Sequence, residues 1–243
     1  MKIALLRVGA DSGNLGFHSP LFKDGTFDFI PINESATTLV SKNFQTYQNT
    51  RINKKEFLIN YFPDRKKEIH KSSIIHNDPE FETFTYGDPS FNKKGLSNLI
   101  RGDYLIFYSS LFDFPKKENS ITQLYAIGYF EIDKVKVITD TNEYKGILND
   151  FGNNFHVKNK KIFERDVNFK KNRGLKLVKG TNKSKLLKNA ELISNKIPFG
   201  KDNQDRFVVS KDMQEIFGDF GGRICIQRNS LRFIDEKFVG KTL

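Results

Sequence analysis

Cysteine is nearly missing from this chain. Its 243 residues include one, Cys225, which excludes an intramolecular disulfide framework and any multi-cysteine zinc site. A reducing compartment and no disulfide-linked partner are expected. Tryptophan is absent, methionine occurs twice and histidine four times. No apolar window reaches the roughly eighteen residues of a membrane span, and the short run in "MKIALLRVGADSG" is too brief for a signal peptide. The expectation is a soluble, cytoplasmic protein with no membrane partner. Acidic residues are also in short supply, 29 against 40 Lys and Arg, leaving a net charge of +11. Nothing in the composition sets the oligomeric state.

What is abundant is phenylalanine. The apolar fraction is only 37%, yet 24 Phe and 8 Tyr bury large areas per residue, so a folded aromatic core is expected rather than disorder. The positive balance points to a polyanionic partner, a nucleotide or a nucleic acid. It is concentrated in "KNKKIFERDVNFKKNRGLKLVKGTNKSKLLK", residues 158–188, where the only acids are Glu164 and Asp166. Lys158, Lys160, Lys161, Lys170, Lys171 and Arg173 are the candidate nucleic-acid contacts. Phe163 and Phe169 interleave with them, as stacking platforms or as core.

Periodicity and turn chemistry give a coarse map. "KIALLRV" reads as a buried strand, followed by a Gly-rich loop and a hairpin, "LFKDGTFDFIPI", turning at Asp24-Gly25. Residues 34–71 read as mixed helix and coil. "GDYLIFYSSLF" and "QLYAIGYFEIDKVKVI" read as an antiparallel pair over one apolar face. Further on come a strand at "GLKLVKG", an amphipathic stretch "SKLLKNAELIS", a strand at "DRFVVS", a helix at "KDMQEIFGDF" and a last strand at "GGRICIQRN". This order predicts an α+β fold, a largely antiparallel mixed sheet or a partial barrel with helices packed around it. One compact domain over 1–243 is expected, with a site loop in 1–33, an acidic strip and hairpin in 76–139 and a basic half in 158–243.

Two segments carry candidate chemistry. The loop "RVGADSGNLGFHSP" places Arg7, Asp11, Ser12, Asn14 and His18 among glycines that let backbone amides approach a phosphate, although its spacing matches neither a P-loop nor a dinucleotide fingerprint. The strip "HNDPEFETFTYGDP", read as a strand, puts His76, Asp78, Glu80 and Glu82 on one face. Crowded carboxylates suit acid-base work, because one pKa rises while another stays low. A divalent metal is the less favoured occupant, since four ligands from one segment would need the strand to bend. A plain solvated edge, paired with Lys93, Lys94 and Arg101, is the third reading. Tyr86 and Asp88 come next as candidate base contacts, and His156 is a further candidate beside Asn153 and Asn154. Cys225, inside an apolar strand pattern, is not expected to act as a nucleophile. A metal-nuclease set from Asp235 and Lys237, or from Glu131, Asp133 and Lys134, remains a minor reading.

The opening segment resembles the third of the nucleotide modification associated domain families. The matches are Arg7, Asp11, Ser12, Gly16, Ser19, Pro20, Asp24, Gly25, Thr26 and Pro31. The strip, "GDYLIFYSSLF", "IGYFEI" and "LVKGTNKSKLLKNAELIS" are similar to later segments of some members. The resemblance implies a role near modified nucleotides or DNA. The central strand pair also looks like PUA-like and EVE-like domains, which bind RNA or flipped bases. The combined expectation is a nucleotide- or base-modifying protein in which Arg7 and Ser12 hold phosphate or sugar. Asp11, His76, Asp78, Glu80 and Glu82 would then supply acid-base chemistry. The alternatives are a base-binding module without chemistry and a metal-dependent nuclease.

Overall fold

Gly102 and Asp103 organise the centre of the fold. Gly102 takes φ +87°, and the Asp103 carboxylate beyond it accepts from the Lys2 amide at 2.6 Å and the Ile100 amide at 2.9 Å. That one carboxylate ties the start of the chain to the start of the central strand pair. The computed structural model describes residues 1–34, 44–53, 56–115, 122–168, 174–199, 204–218, 231–235 and 237.

The apolar run "IALLR" forms β1 (Ile3–Arg7), and the loop after it leads to β2 (Ser19–Leu21) and β3 (Ile32–Asn33). The Asp24-Gly25 turn forms as predicted, with the Phe22 amide donating to Thr26 O at 2.8 Å. Helix α1 (Asp64–His70) precedes β4 (Ile75–His76) and β5 (Thr85–Asp88). A 3-10 segment over Phe91–Asn98 then feeds β6 (Tyr104–Asp113), which pairs antiparallel with β7 (Thr122–Ile138). Helices α2 (Tyr144–Phe151) and α3 (Lys160–Asn168) come next. They are followed by β8 (Leu175–Gly180), β9 (Lys185–Leu192), β10 (Ser194–Phe199) and β11 (Gln204–Val209). Helix α4 (Lys211–Phe217) and β12 (Leu231–Phe233) complete the described elements.

The main sheet runs β12-β1-β6-β7-β8-β5, with β2 added beside β6 and β9 beside β7. β1 and β2 lie parallel to β6, and the other pairs are antiparallel, so the sheet is mixed and largely antiparallel. It does not close into a barrel, and the fold is α+β. The amphipathic stretch at 185–192 is a strand along β7, while the last strand expected at "GGRICIQRN", with Cys225, lies outside the described residues. No helix among the described residues is long and apolar enough to cross a membrane.

Burial explains how α2 and α3 are placed. Ile147, Phe151, Phe163 and Val167 pack with Ile138, Leu175 and Leu177, covering one end of β7 and β8. Phe163 is therefore core and not a stacking platform. This small core holds the loop between the two helices against β5, and that loop carries His156.

Candidate functional site

The acidic strip does not run as one strand. It leaves β4 at His76, and Pro79, which lacks an amide hydrogen for a ladder, interrupts pairing before the chain turns back into β5. Glu80 closes the turn. Its amide and carbonyl exchange 2.9 Å bonds with Thr85, and its side chain accepts from the amides of Glu82 and Thr83 and from the Thr83 hydroxyl. The alternation expected of a strand is thereby broken. His76 and Asp78 turn inward, Glu80 is spent on the turn, and Glu82 is exposed.

Inward means into a cavity of about 520 Å³, within the roughly 300–1,000 Å³ typical of small-ligand sites. Its wall is drawn from distant parts of the chain. Arg7 and Gly9 come from the end of β1, Glu34 from beyond β3, His76 and Asp78 from the strip, and Tyr86 and Asp88 from β5. Lys93 enters from the 3-10 segment, His156 from the loop after α2, and Arg165 and Asp166 from α3.

Histidines and carboxylates meet at its floor. His76 Nε2 lies 3.1 Å from His156 Nε2, while Asp78 Oδ2 stands 3.9 Å from the first and 3.4 Å from the second. His156 Nδ1 donates to Asp166 Oδ2 at 2.6 Å. Arg165 grips Asp166 at 2.8 Å and reaches Glu34 at 3.2 Å, and Glu34 faces His76 Nδ1 at 3.7 Å. The Gly87 amide donates to Asp78 Oδ2 at 2.8 Å, and the His76 ring stacks on Phe155 with centroids 4.1 Å apart. Asn154 shapes the His156 loop by accepting from the His156 amide at 3.1 Å.

These contacts set the charges. Burial alone would lower the His156 pKa, but its bonds to Asp166 and Asp78 outweigh it and push the value up to about 10. Burial raises Asp78 to about 6, against the pull of His156. Burial would also raise Asp166, yet its bonds to His156 and Arg165 hold it below the usual carboxylate range. His76 falls well below the ordinary imidazole value, first through burial and then through the cationic His156 beside it. At neutral pH an imidazolium therefore sits between two carboxylates, beside a neutral imidazole.

The N-terminal loop contributes less than its composition suggests. Arg7 reaches the cavity and donates to Ser110 at 2.7 Å, with Asp11 at 3.9 Å behind it. Asp11 Oδ1 accepts from the amides of Gly13 and Asn14 at 2.8 and 3.0 Å, and Asn14 Oδ1 accepts from the Asp11 amide at 2.9 Å. Those side chains fold the loop on itself. Ser12 is exposed, and His18 lines a separate cavity with Tyr61, Phe62 and Phe114. Tyr86 and Asp88 do line the main cavity, although the Tyr86 ring is largely core, 5.7 Å from Phe107.

Among the basic candidates, Lys158 lies over the Phe155 ring at 5.1 Å, Lys160 pairs with Glu164 at 3.5 Å, and Lys161 is exposed. Lys170, Lys171 and Arg173 lie outside the described residues. The solvated edge beside Lys93, Lys94 and Arg101 does not form as read. Lys93 is buried in the cavity wall, Lys94 sits over Phe91, and Arg101 faces Asp133 at 3.7 Å. The nuclease set on β7 disperses too, with Lys134 on Asp150 at 3.1 Å and Glu131 on Thr181 at 3.1 Å, while Asp235 and Lys237 form an exposed pair at 3.6 Å.

Four wall residues, Glu34, Lys93, Arg165 and Asp166, carry no sequence motif. Asp166 alone left a local sign: it lies between Phe163 and Val167 on the apolar face of α3, where an acid needs a partner. No curated protein and no solved structure matches this chain. Residues 2–206 match the model of nucleotide modification associated domain 3, and the chain belongs to that family.

Proposed function

We propose that the protein is an enzyme that modifies nucleotides or nucleic-acid bases, with the His76–Asp78–His156 cavity as its reaction centre. The observation that carries this reading is convergence: two cations, Arg7 and Lys93, share one concave wall with two imidazoles and the Asp78 carboxylate. Arg7 and Lys93 hold phosphate oxygens, Arg7 in the bidentate manner that a guanidinium allows. Tyr86 and Asp88 offer a hydroxyl and a carboxylate to the polar edge of a base. His76, the more exposed of the two imidazoles, moves the proton at the reacting atom, and Asp166 orients His156 behind it. A module that only binds bases by stacking would favour aromatic faces in its pocket. Here the lining is largely titratable.

Family membership bears on the substrate and does not supply the reaction. Purified protein incubated with ribo- and deoxynucleotides, single strands and duplexes, followed by digestion and mass spectrometry, tests both. A product of altered mass is expected, reduced at least 100-fold in His76→Ala, in line with the roughly 10²–10⁴-fold worth of acid-base catalysis. Arg7→Ala should raise KM more than it lowers kcat, and Glu68→Ala, on the exposed face of α1, should change neither. Undiminished product in both site variants, or no product and no bound nucleotide across the panel, overturns the assignment.

A further inference from the structure

Three donor atoms from two places in the chain aim at one point. His76 Nε2, His156 Nε2 and Asp78 Oδ2 form a triangle with sides of 3.1, 3.4 and 3.9 Å. The point equidistant from the corners of that triangle lies about 2.0 Å from each, and transition-metal bonds to imidazole nitrogen or carboxylate oxygen are about 2.0–2.2 Å long. The three side chains are among the described residues that group as metal-ligating donors.

The far side of each ring gives a second, independent observation. A metal-bound histidine commonly turns its other nitrogen to a carboxylate, which fixes the ring and strengthens the donor. His156 does so here, with Nδ1 on Asp166 at 2.6 Å, while His76 Nδ1 faces Glu34 at 3.7 Å, beyond direct hydrogen-bond reach. Arg165 links those two outer carboxylates, at 2.8 Å to Asp166 and 3.2 Å to Glu34. The donors are further immobilised by the Gly87 amide on Asp78 and by Phe155 beneath His76.

We infer that His76, Asp78 and His156 bind one divalent first-row transition-metal ion, which displaces the Nε2 proton of His156 to solvent and keeps its remaining coordination positions open to the cavity. The inference rests on the reading of this cavity as the reaction centre and deepens it: with Nε2 on the ion and Nδ1 toward Glu34, His76 acts as a ligand, and water on the ion takes over the proton transfer. Two imidazoles and one carboxylate suit Fe, Mn, Co or Zn, whereas Mg and Ca prefer all-oxygen sites. Three protein donors leave room for water and substrate, as catalytic sites do and closed structural sites do not. Such an ion polarises a bound oxygen or activates water beside the phosphate-binding wall. A metal is disfavoured in the sequence if one straight segment must supply every ligand. The strip bends after Asp78, and the third donor arrives from the loop before α3.

The full chain, stripped with chelator and dialysed, is titrated calorimetrically with Zn²⁺ and separately with Co²⁺. One ion per chain is expected, with visible ligand-field bands in the Co²⁺ adduct. His76→Gln and His156→Gln should each abolish the site, with melting curves showing that the variants fold. Asp166→Asn should keep the stoichiometry but weaken binding about 10–100-fold, the usual worth of an outer-sphere partner. A flat titration of the wild-type chain, or wild-type affinity retained in both glutamine variants, overturns the inference. Tight metal binding without any nucleotide chemistry leaves it standing and removes the proposed substrate instead.

Discussion

Gly87 leaves no room for a methyl group beside His156. A Cβ there would stand 2.6 Å from His156 Cδ2, 2.8 Å from Asn154 Oδ1 and 3.2 Å from Leu177 Cδ2. Gly87→Ala should therefore cost about 1–3 kcal/mol, the usual range for overpacking a filled interior. Because the intruding atom meets the imidazole, the same variant should lose affinity for whatever the cavity holds. Urea unfolding and ligand titration check the two effects, and a stability within about 0.5 kcal/mol of wild type with unchanged binding would contradict the packing described. At this scale the sequence was partly legible. Arg7, His76, Asp78, Tyr86, Asp88 and His156 stand out by residue type and all line the cavity. Asp11, Asn14 and Glu80 stand out for the same reason and instead fold their own turns, because a short carboxylate or amide finds its neighbouring backbone amides first. Glu34, Lys93 and Arg165 do not stand out as site residues, since their meaning depends on partners far away in the chain.

Helix α3 shows what an element contributes. It opens at Asn159, whose Oδ1 accepts from the Lys161 amide at 2.9 Å and the Ile162 amide at 3.3 Å, satisfying donors that no earlier turn can reach. The helix then delivers Arg165 and Asp166 to the cavity. Asn159→Ala should cost about 0.5–2 kcal/mol, measured by denaturant unfolding, and an unchanged midpoint would sink the capping role. The strands β1, β6, β7 and β8 and helix α4 are readable because apolar runs and clear turns bound them. Helices α2 and α3 are not. Their apolar positions are few, and the lysines around α3 direct attention to charge and away from period. The parallel placement of β1 beside β6 is also hidden, as it depends on a long connection that no local signal specifies.

At the scale of the molecule, a chain of net charge +11 carries a cavity whose floor is acidic and imidazole-rich. In the proposed function this positive balance favours the approach of polyanions, and the convergent side chains hold and change what arrives. In the proposed function nucleotides bind at this cavity and not at another. Four histidines make it directly measurable. His76 and His156 lie in the cavity, His18 lines the separate one, and the His70 ring lies 5.8 Å from Phe62. Imidazole carbon-proton resonances of the Zn²⁺-treated protein, assigned by single substitutions, are followed while a nucleoside monophosphate is added. The signals of His76 and His156 should move together to saturation while those of His18 and His70 stay in place. Movement of His18 alone, or no movement of His76 and His156 at saturating nucleotide, would contradict the account.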